Sequence, residues 1–311
     1  MSTLILEAEN YSPDAIELYE RIGPVTFGLE SASVDDVRQL VVRLGYMIDS
    51  DFLGRFPSLR TVITSTTGLN HIDLTACRQR SIEVFSLNDC KDDITTVTST
   101  SELTLGLIIA LLRQIPQANN EVRSGGWDRN KFRSRQLSNL SIGIVGMGRI
   151  GGHLAGYARS LGLQVHAFDP GQPSTRFRDV GAIQASSIHN MVATVDIVSI
   201  HASLDQHNIG LVSSTVINAM SPGSYLVNTA RGELLDEQAA AEALRSGHLS
   251  GIAVDVLQGE HTGAHLSSPL FDCANEGLNI IITPHIGGCT VDAMQHTEYH
   301  IARCFVESSQ L

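Results

Sequence analysis

Ser141-Ile-Gly-Ile-Val-Gly146-Met-Gly148-Arg-Ile-Gly151 is the segment from which the architecture of this chain can be read. Its apolar run, residues 142–145, breaks into a G-x-G-x-x-G turn. Arg149, Ile150, His153, Leu154, Tyr157, Ala158 and Leu161 then follow in a helical pattern. A second apolar run, Leu163-Gln-Val-His-Ala-Phe168, ends on Asp169. Strand, glycine turn, helix, strand and acid is the order that a dinucleotide-binding unit requires. In such a unit Gly146 allows the tight turn, Gly148 lets backbone N–H groups approach a pyrophosphate, and Gly151 lets helix and strand pack closely. The helix start adds unpaired N–H donors and the positive end of a dipole. Asp169 can accept hydrogen bonds from the adenosine ribose, and its charge repels a 2′-phosphate, so the expected cofactor is NAD rather than NADP. An ordinary glycine turn is the alternative, and the flanking strands and the acid weigh against it.

Outward from this unit the pattern keeps alternating. Short strands are expected at residues 4–6, 39–43, 61–64 and 82–85, with helices near 13–21 and 73–80. A long amphipathic segment, 97–123, reads as a helix with one interruption, where Pro116 must kink it or start a new helix. Beyond the glycine turn, strands are expected at 196–200, 225–228, 251–254 and 279–282. Helices are expected near 213–220 and 236–246, and a final helix at 291–306 could return to the first domain. The fold class is therefore α/β with parallel sheets.

Bulk properties narrow the function. A chain of 311 residues is long enough for two domains. The net charge of -12 argues against a general nucleic-acid binder. Arg123, Arg129, Lys131, Arg133 and Arg135 form one local basic cluster, read as a solvated loop, with a phosphate or dimer contact as the lesser reading. The N-terminal segment lacks a basic leader and the longest apolar run, 105–112, is too short to cross a bilayer, so neither secretion nor a membrane is expected. Cys77, Cys90, Cys273, Cys289 and Cys304 lack C-x-x-C spacing and suggest reduced thiols in a cytoplasm. His261 and His265 beside Glu260, and His296 with His300, have helix-face spacing. Neither pair sits in an H-E-x-x-H frame, so no metal site is expected.

In an open parallel sheet, ligands bind outside the carboxyl ends of the strands. That rule selects residues 65–70, His201, residues 228–231, Asp255 and residues 284–288, which include Gly287. Arg231 follows a strand directly, and a guanidinium can hold a carboxylate bidentately. A surface salt bridge is the plainer alternative. His285, between a proline and two glycines, offers an acid/base near neutral pH, and Glu260 beside it would favour the imidazolium form. A structural histidine and a solvated acid remain the bland readings.

These motifs together resemble the D-isomer-specific 2-hydroxy-acid dehydrogenase family. GMGRIG, Asp169, NTARGELLDE, AVDVLQGE, TPHIGG and TTGLNHID (residues 66–73) occur in the family's order over nearly the whole chain. The resemblance implies NAD-dependent interconversion of a small 2-keto acid and its D-2-hydroxy acid. Arg231 would be the substrate anchor, Glu260 the orienting carboxylate and His285 the acid/base. Arg149 and Ile150 would meet the pyrophosphate and Asp255 the nicotinamide carboxamide. His201, Thr229 and Ala230 would line the cofactor cleft, and Gly68, Leu69 and Asn70 would touch substrate. It also implies two Rossmann-like or flavodoxin-like domains, with an NAD-binding domain (101–285) inserted into a discontinuous substrate domain (1–100 and 286–311), and a homodimer through the NAD-binding domain. The sequence departs from the family at His261 and Ser203, where prolines are usual, and at Thr64, where phosphoglycerate dehydrogenases tend to carry arginine. No regulatory domain is expected after Leu311. An NAD-sensing corepressor-like binding protein of the same fold, and a same-family dehydrogenase of another donor such as phosphite, are the competing readings.

Overall fold

The computed structural model describes residues 2–31, 33–90 and 94–309. The chain divides into two compact units, Met1–Val97 with Cys289–Leu311, and Thr98–Gly288. The chain therefore leaves the first unit, completes the second, and returns.

The first unit holds β1 (Ser2–Ile5), β2 (Val25–Phe27), β3 (Val37–Val42), β4 (Thr61–Thr64) and β5 (Glu83–Ser86). All pairs are parallel and the order is β2-β1-β3-β4-β5, the flavodoxin-like order. Alternate strand residues feed opposite faces, as a period of two demands. Leu4, Leu40, Val42 and Val62 enter one core, and Ile5, Val41 and Ile63 the other. The second core is closed by the helices Pro13–Glu20 and Val291–Ser308, through Ala15, Leu18 and Tyr19 and through Ile301, Ala302, Phe305 and Val306. Ser12 caps the first of these helices and Pro13 starts it. The returning helix is fastened by buried Glu298, which accepts from Ser12 N at 2.7 Å and Arg43 Nε at 2.7 Å.

The second unit holds β6 (Ser141–Val145), β7 (Gln164–Phe168), β8 (Ile183–Gln184), β9 (Ile197–Ile200), β10 (Ser224–Asn228), β11 (Leu249–Val254) and β12 (Ile280–Ile282). The order β12-β11-β10-β9-β6-β7-β8, all parallel, is the doubly wound dinucleotide-binding order with one strand added. The order reverses between β6 and β9, and the glycine turn leaves β6 at that point. Alternation again serves two layers: Ile142, Ile144, Ile197, Val227 and Ala253 on one face, Val145, Val198, Ile200, Leu226, Ile252 and Val254 on the other.

The expected long helix is two helices, Ser99–Leu112 and Ile115–Arg123. Gln114 between them takes a left-handed conformation (φ 48°), and Pro116 lies in the first turn of the second helix. The stretch Ile94–Leu112 is long and apolar enough by composition to cross a membrane. Its α-helical part has 14 residues, about 21 Å against a hydrocarbon core of about 30 Å. Leu107, Ile108, Leu111 and Leu112 are buried in the core and the helix packs on β10, β11 and β12, so it is a core helix. Two short edge strands, β2 and β8, and the helices Ser50–Gly54, Ser174–Asp179 and Ile188–Val192 were not anticipated from sequence.

Candidate functional site

The expected catalytic groups meet at the carboxyl ends of β10, β11 and β12. β11 ends on Val254, and Asp255, buried to 1% exposure, follows. Its Oδ1 accepts from Thr283 Oγ1 (2.5 Å) and Ile286 N (2.9 Å), and its Oδ2 from Gly287 N (2.8 Å). His285 N also donates to the Asp255 carbonyl. These bonds hold the turn after β12 with His285 at φ 53°, in the left-handed region that few non-glycine residues adopt. Burial pushes the Asp255 carboxyl up, against the lowering effect of Thr283, the two N–H groups and the His285 charge. Gly287, expected at the cofactor, donates its N–H to this carboxylate.

Glu260 opens a single 3₁₀ turn, Glu260–Thr262, where a plain loop was expected. Gly259 (φ 68°) and Gly263 (φ 81°) bound it, both in the conformation that glycine tolerates best. The turn brings Glu260 Oε1 to 2.6 Å from His285 Nδ1. A carboxylate only accepts, so Nδ1 carries the proton and Nε2 is the ring's acid/base position. Burial raises the Glu260 pKa, but the bond and charge of His285, the Leu257 N–H and His261 outweigh it and hold the group below the ordinary carboxyl range. His261 Nε2 lies 3.5 Å from the same oxygen.

Arg231 follows β10. Gly232 next to it has no room for a Cβ, which would meet Leu257 C at 2.1 Å, so the turn after β10 packs directly on the segment leading to Glu260. Asn228 clamps this turn: its Nδ2 donates to Arg231 O (2.8 Å) and its Oδ1 accepts from Ala230 N (3.0 Å). Burial lowers the Arg231 pKa, and the charges of Glu260 and Glu233 oppose that. Arg231 Nη1 donates to Ala230 O, and Thr229 Oγ1 meets Thr104 Oγ1 at 2.8 Å.

At the glycine turn, Gly146 has φ 98°, and a Cβ there would meet Ala202 N at 2.6 Å. A Cβ on Gly151 would meet Gly146 O at 2.1 Å, whereas one on Gly148 would meet nothing within 4 Å. So two glycines serve close packing within the chain, and the third leaves an open approach beside a helix start, Arg149–Ser160, that has no side-chain cap. Asp169 lies beside it, accepting from Met147 N (2.8 Å) and Gly171 N (2.9 Å). Arg149 is desolvated, which lowers its pKa, and the Ile150 carbonyl accepts from Ser101. His201 follows β9, its N–H bonded to Val145 O. Its Nε2 meets Ser199 Oγ at 2.8 Å, and its buried Nδ1 has no partner among the described residues. Burial drops its pKa to about 3, so the ring is neutral. An open approach at a bare helix start, with an acid at the next strand end, fits a dinucleotide.

In the other unit, the segment after β4 carries Gly68, Leu69 and Asn70. Thr66 Oγ1 donates to Gly68 O (2.8 Å), and Ile72 N to Leu69 O (3.0 Å). Thr64 is fully buried and bonds Thr66.

Two positioning residues escaped the sequence reading. Arg176 donates Nε to Met147 O (3.0 Å) and Nη2 to Gly148 O (2.8 Å), bracing the glycine turn. Buried Glu237 accepts from Gln258 N (2.7 Å) and Ser268 Oγ (2.5 Å), anchoring the loop that carries Glu260. Glu237 was visible in NTARGELLDE, but nothing in the spacing said where its carboxylate would reach.

Strand order, glycine turn and strand-end acid define a dinucleotide-binding α/β protein. Residues 105–287 match the family described as D-isomer specific 2-hydroxyacid dehydrogenase, NAD binding domain, and the chain belongs to that family. Over 277 residues it is 32% identical to D-3-phosphoglycerate dehydrogenase of Haemophilus influenzae, covering 89% of this chain and 65% of that one. Against the enzyme of the same name from Bacillus subtilis it is 32% identical over 254 residues, covering 82% and 46%. The chain thus spans less than two thirds of the length of these relatives. The crystal structure of TT0316 protein from Thermus thermophilus superposes with a TM-score of 0.81 at 27% identity, over 99% of this chain and 97% of that one.

Proposed function

We propose that the protein is an NAD-dependent oxidoreductase that interconverts a small 2-keto acid and its D-2-hydroxy acid. The observation that carries this is the 2.6 Å contact between His285 Nδ1 and Glu260 on the face that also presents Arg231. Bound NAD would supply the hydride acceptor and NADH the hydride donor. Gly146, Gly148, Gly151, Arg149 and Ile150 would hold its pyrophosphate, Asp169 its ribose, and His201, Thr229, Ala230 and Asp255 the rest. Three of about four acceptor positions on Asp255 are taken by the His285 turn, which leaves one for an outside donor. Arg231 binds the substrate carboxylate. His285 Nε2 gives a proton to the carbonyl oxygen in reduction and takes it back in oxidation, while ionised Glu260 stabilises the charged ring. Gly68, Leu69 and Asn70 are further proposed substrate-binding residues.

We further propose a homodimer through the NAD-binding unit. Helix Ile115–Arg123 buries none of its residues, and Ile115 and Val122 stand about half exposed, with Trp127 at 88%. These exposed apolar side chains are where such an interface would form. The five cysteines are unpaired, which supports a reducing, cytoplasmic setting.

A phosphorylated acid is the second reading, favoured by the names of the curated relatives. Buried, uncharged Thr64 offers no anchor for a phosphate. A panel of 2-keto acids, with and without a phosphate group and with NADH or NADPH, tests both. The account expects NADH oxidation with small unphosphorylated acids, and no turnover with any member would refute it.

A further inference from the structure

Away from the dinucleotide chemistry, two thiols and an imidazole meet inside the first unit. Helix Val291–Ser308 carries His300 and Cys304 four residues apart, hence on one face. Cys90 ends the single turn Leu87–Asp89 that follows β5. One ligand atom from each of the three lies within 4.8 Å of the others. Cys304 Sγ is 4.0 Å from His300 Nδ1 and 3.7 Å from its Nε2. Zinc–sulfur and zinc–nitrogen bonds of about 2.3 and 2.0 Å place tetrahedral ligands about 3.5–3.8 Å apart, close to this spread. Cys90 and His300 are buried and Cys304 is partly so.

The histidine's hydrogen bonds fix its tautomer. Nε2 lies 3.0 Å from the Cys90 carbonyl oxygen, which only accepts, so Nε2 carries the proton. Nδ1 lies 3.3 Å from Arg303 Nη2, which only donates, so Nδ1 carries the lone pair. A metal-bound imidazole ordinarily has this arrangement, its second N–H held by a backbone carbonyl. The guanidinium of half-buried Arg303 already brings a positive charge to that lone pair.

We propose that Cys90, Cys304 and His300 Nδ1 form a binding site for one thiophilic divalent cation of the zinc class. Soft thiolates with an imidazole select such ions over magnesium or calcium. Binding takes the place of the Arg303 contact at Nδ1, and the two thiols release two protons as two metal–sulfur bonds form, with water in the fourth position. The ion would staple the end of β5 to the returning helix. Sequence spacing had paired His300 with His296, whose rings lie 6.4 Å apart. The partners that matter are cysteines, one of them distant in the chain.

Cobalt(II) titration of the full-length, reduced protein is the test, because only thiolate ligation gives an intense near-ultraviolet charge-transfer band. The expected result is one cobalt per chain with that band, displaced by zinc. The band should weaken in Cys90→Ser and in Cys304→Ser and vanish in the double variant, and affinity should fall at least about tenfold in His300→Gln. Zinc should raise the melting temperature of the wild type but not of Cys304→Ser. Absence of the band in the wild type, which needs no variant, would overturn the proposal. So would a band of undiminished intensity in Cys304→Ser, or one that persists in the double variant.

Discussion

His285 shows how much surrounding structure a single reactive side chain demands. Its backbone sits at φ 53° and costs on the order of 1 kcal/mol, which the bonds that Thr283, Ile286 and Gly287 donate to the Asp255 carboxylate from both sides of the turn offset. The residues of this site were legible because each follows a strand, and a parallel sheet puts strand ends on one edge. The bracing was not: Arg176 on the glycine turn and Glu237 behind Glu260 act across 28 and 21 residues of chain respectively. Nothing local marks such partners. Asp169→Ala should lose the repulsion of a 2′-phosphate and raise the ratio of NADPH to NADH use at least tenfold, on the order of 1.4 kcal/mol. Parallel kcat/KM values with the two cofactors would check it, and an unchanged ratio would remove Asp169 from cofactor choice.

The elements divide by how they are stabilised. Buried central strands were legible as β-branched runs, and the helices that cover them as periodic ones. The strands β2 and β8 were not, being three and two residues long at sheet edges, where pairing rather than composition makes them strands. Asp196 makes an element-scale prediction. It joins the starts of β6 and β9 by accepting from Ser141 N and Oγ at 2.8 Å each, and Arg135 pairs with it at 2.5 Å. Burial raises its pKa, but these donors outweigh that and leave it below the usual value. A carboxyl depressed in the folded state stabilises the fold above its unfolded pKa of about 3.9 and loses that contribution as pH falls through the folded value. Asp196→Ala should therefore cost about 1–3 kcal/mol at pH 7 and progressively less below pH 4. Denaturant melts at both pH values measure this, and equal losses would contradict it.

For the whole molecule, the chain's two crossings, at residues 97–98 and 288–289, follow from a final helix whose apolar face belongs to the first unit's core. Its return was legible as a periodic run. The buried Glu298 that fastens it was not, since a lone glutamate in an amphipathic helix reads as solvent-facing. Trp127 carries the assembly prediction: Trp127→Arg should shift the protein toward monomer in sedimentation, and an unchanged distribution would place the interface elsewhere. The central claim is that His285, oriented by Glu260, moves the substrate proton. Its most direct measurement compares wild type and His285→Gln for turnover of a reducible 2-keto acid, with NADH affinity followed by fluorescence. The account predicts a kcat lower by about 10²–10⁴-fold with NADH affinity retained. Near-normal turnover by the variant would contradict it.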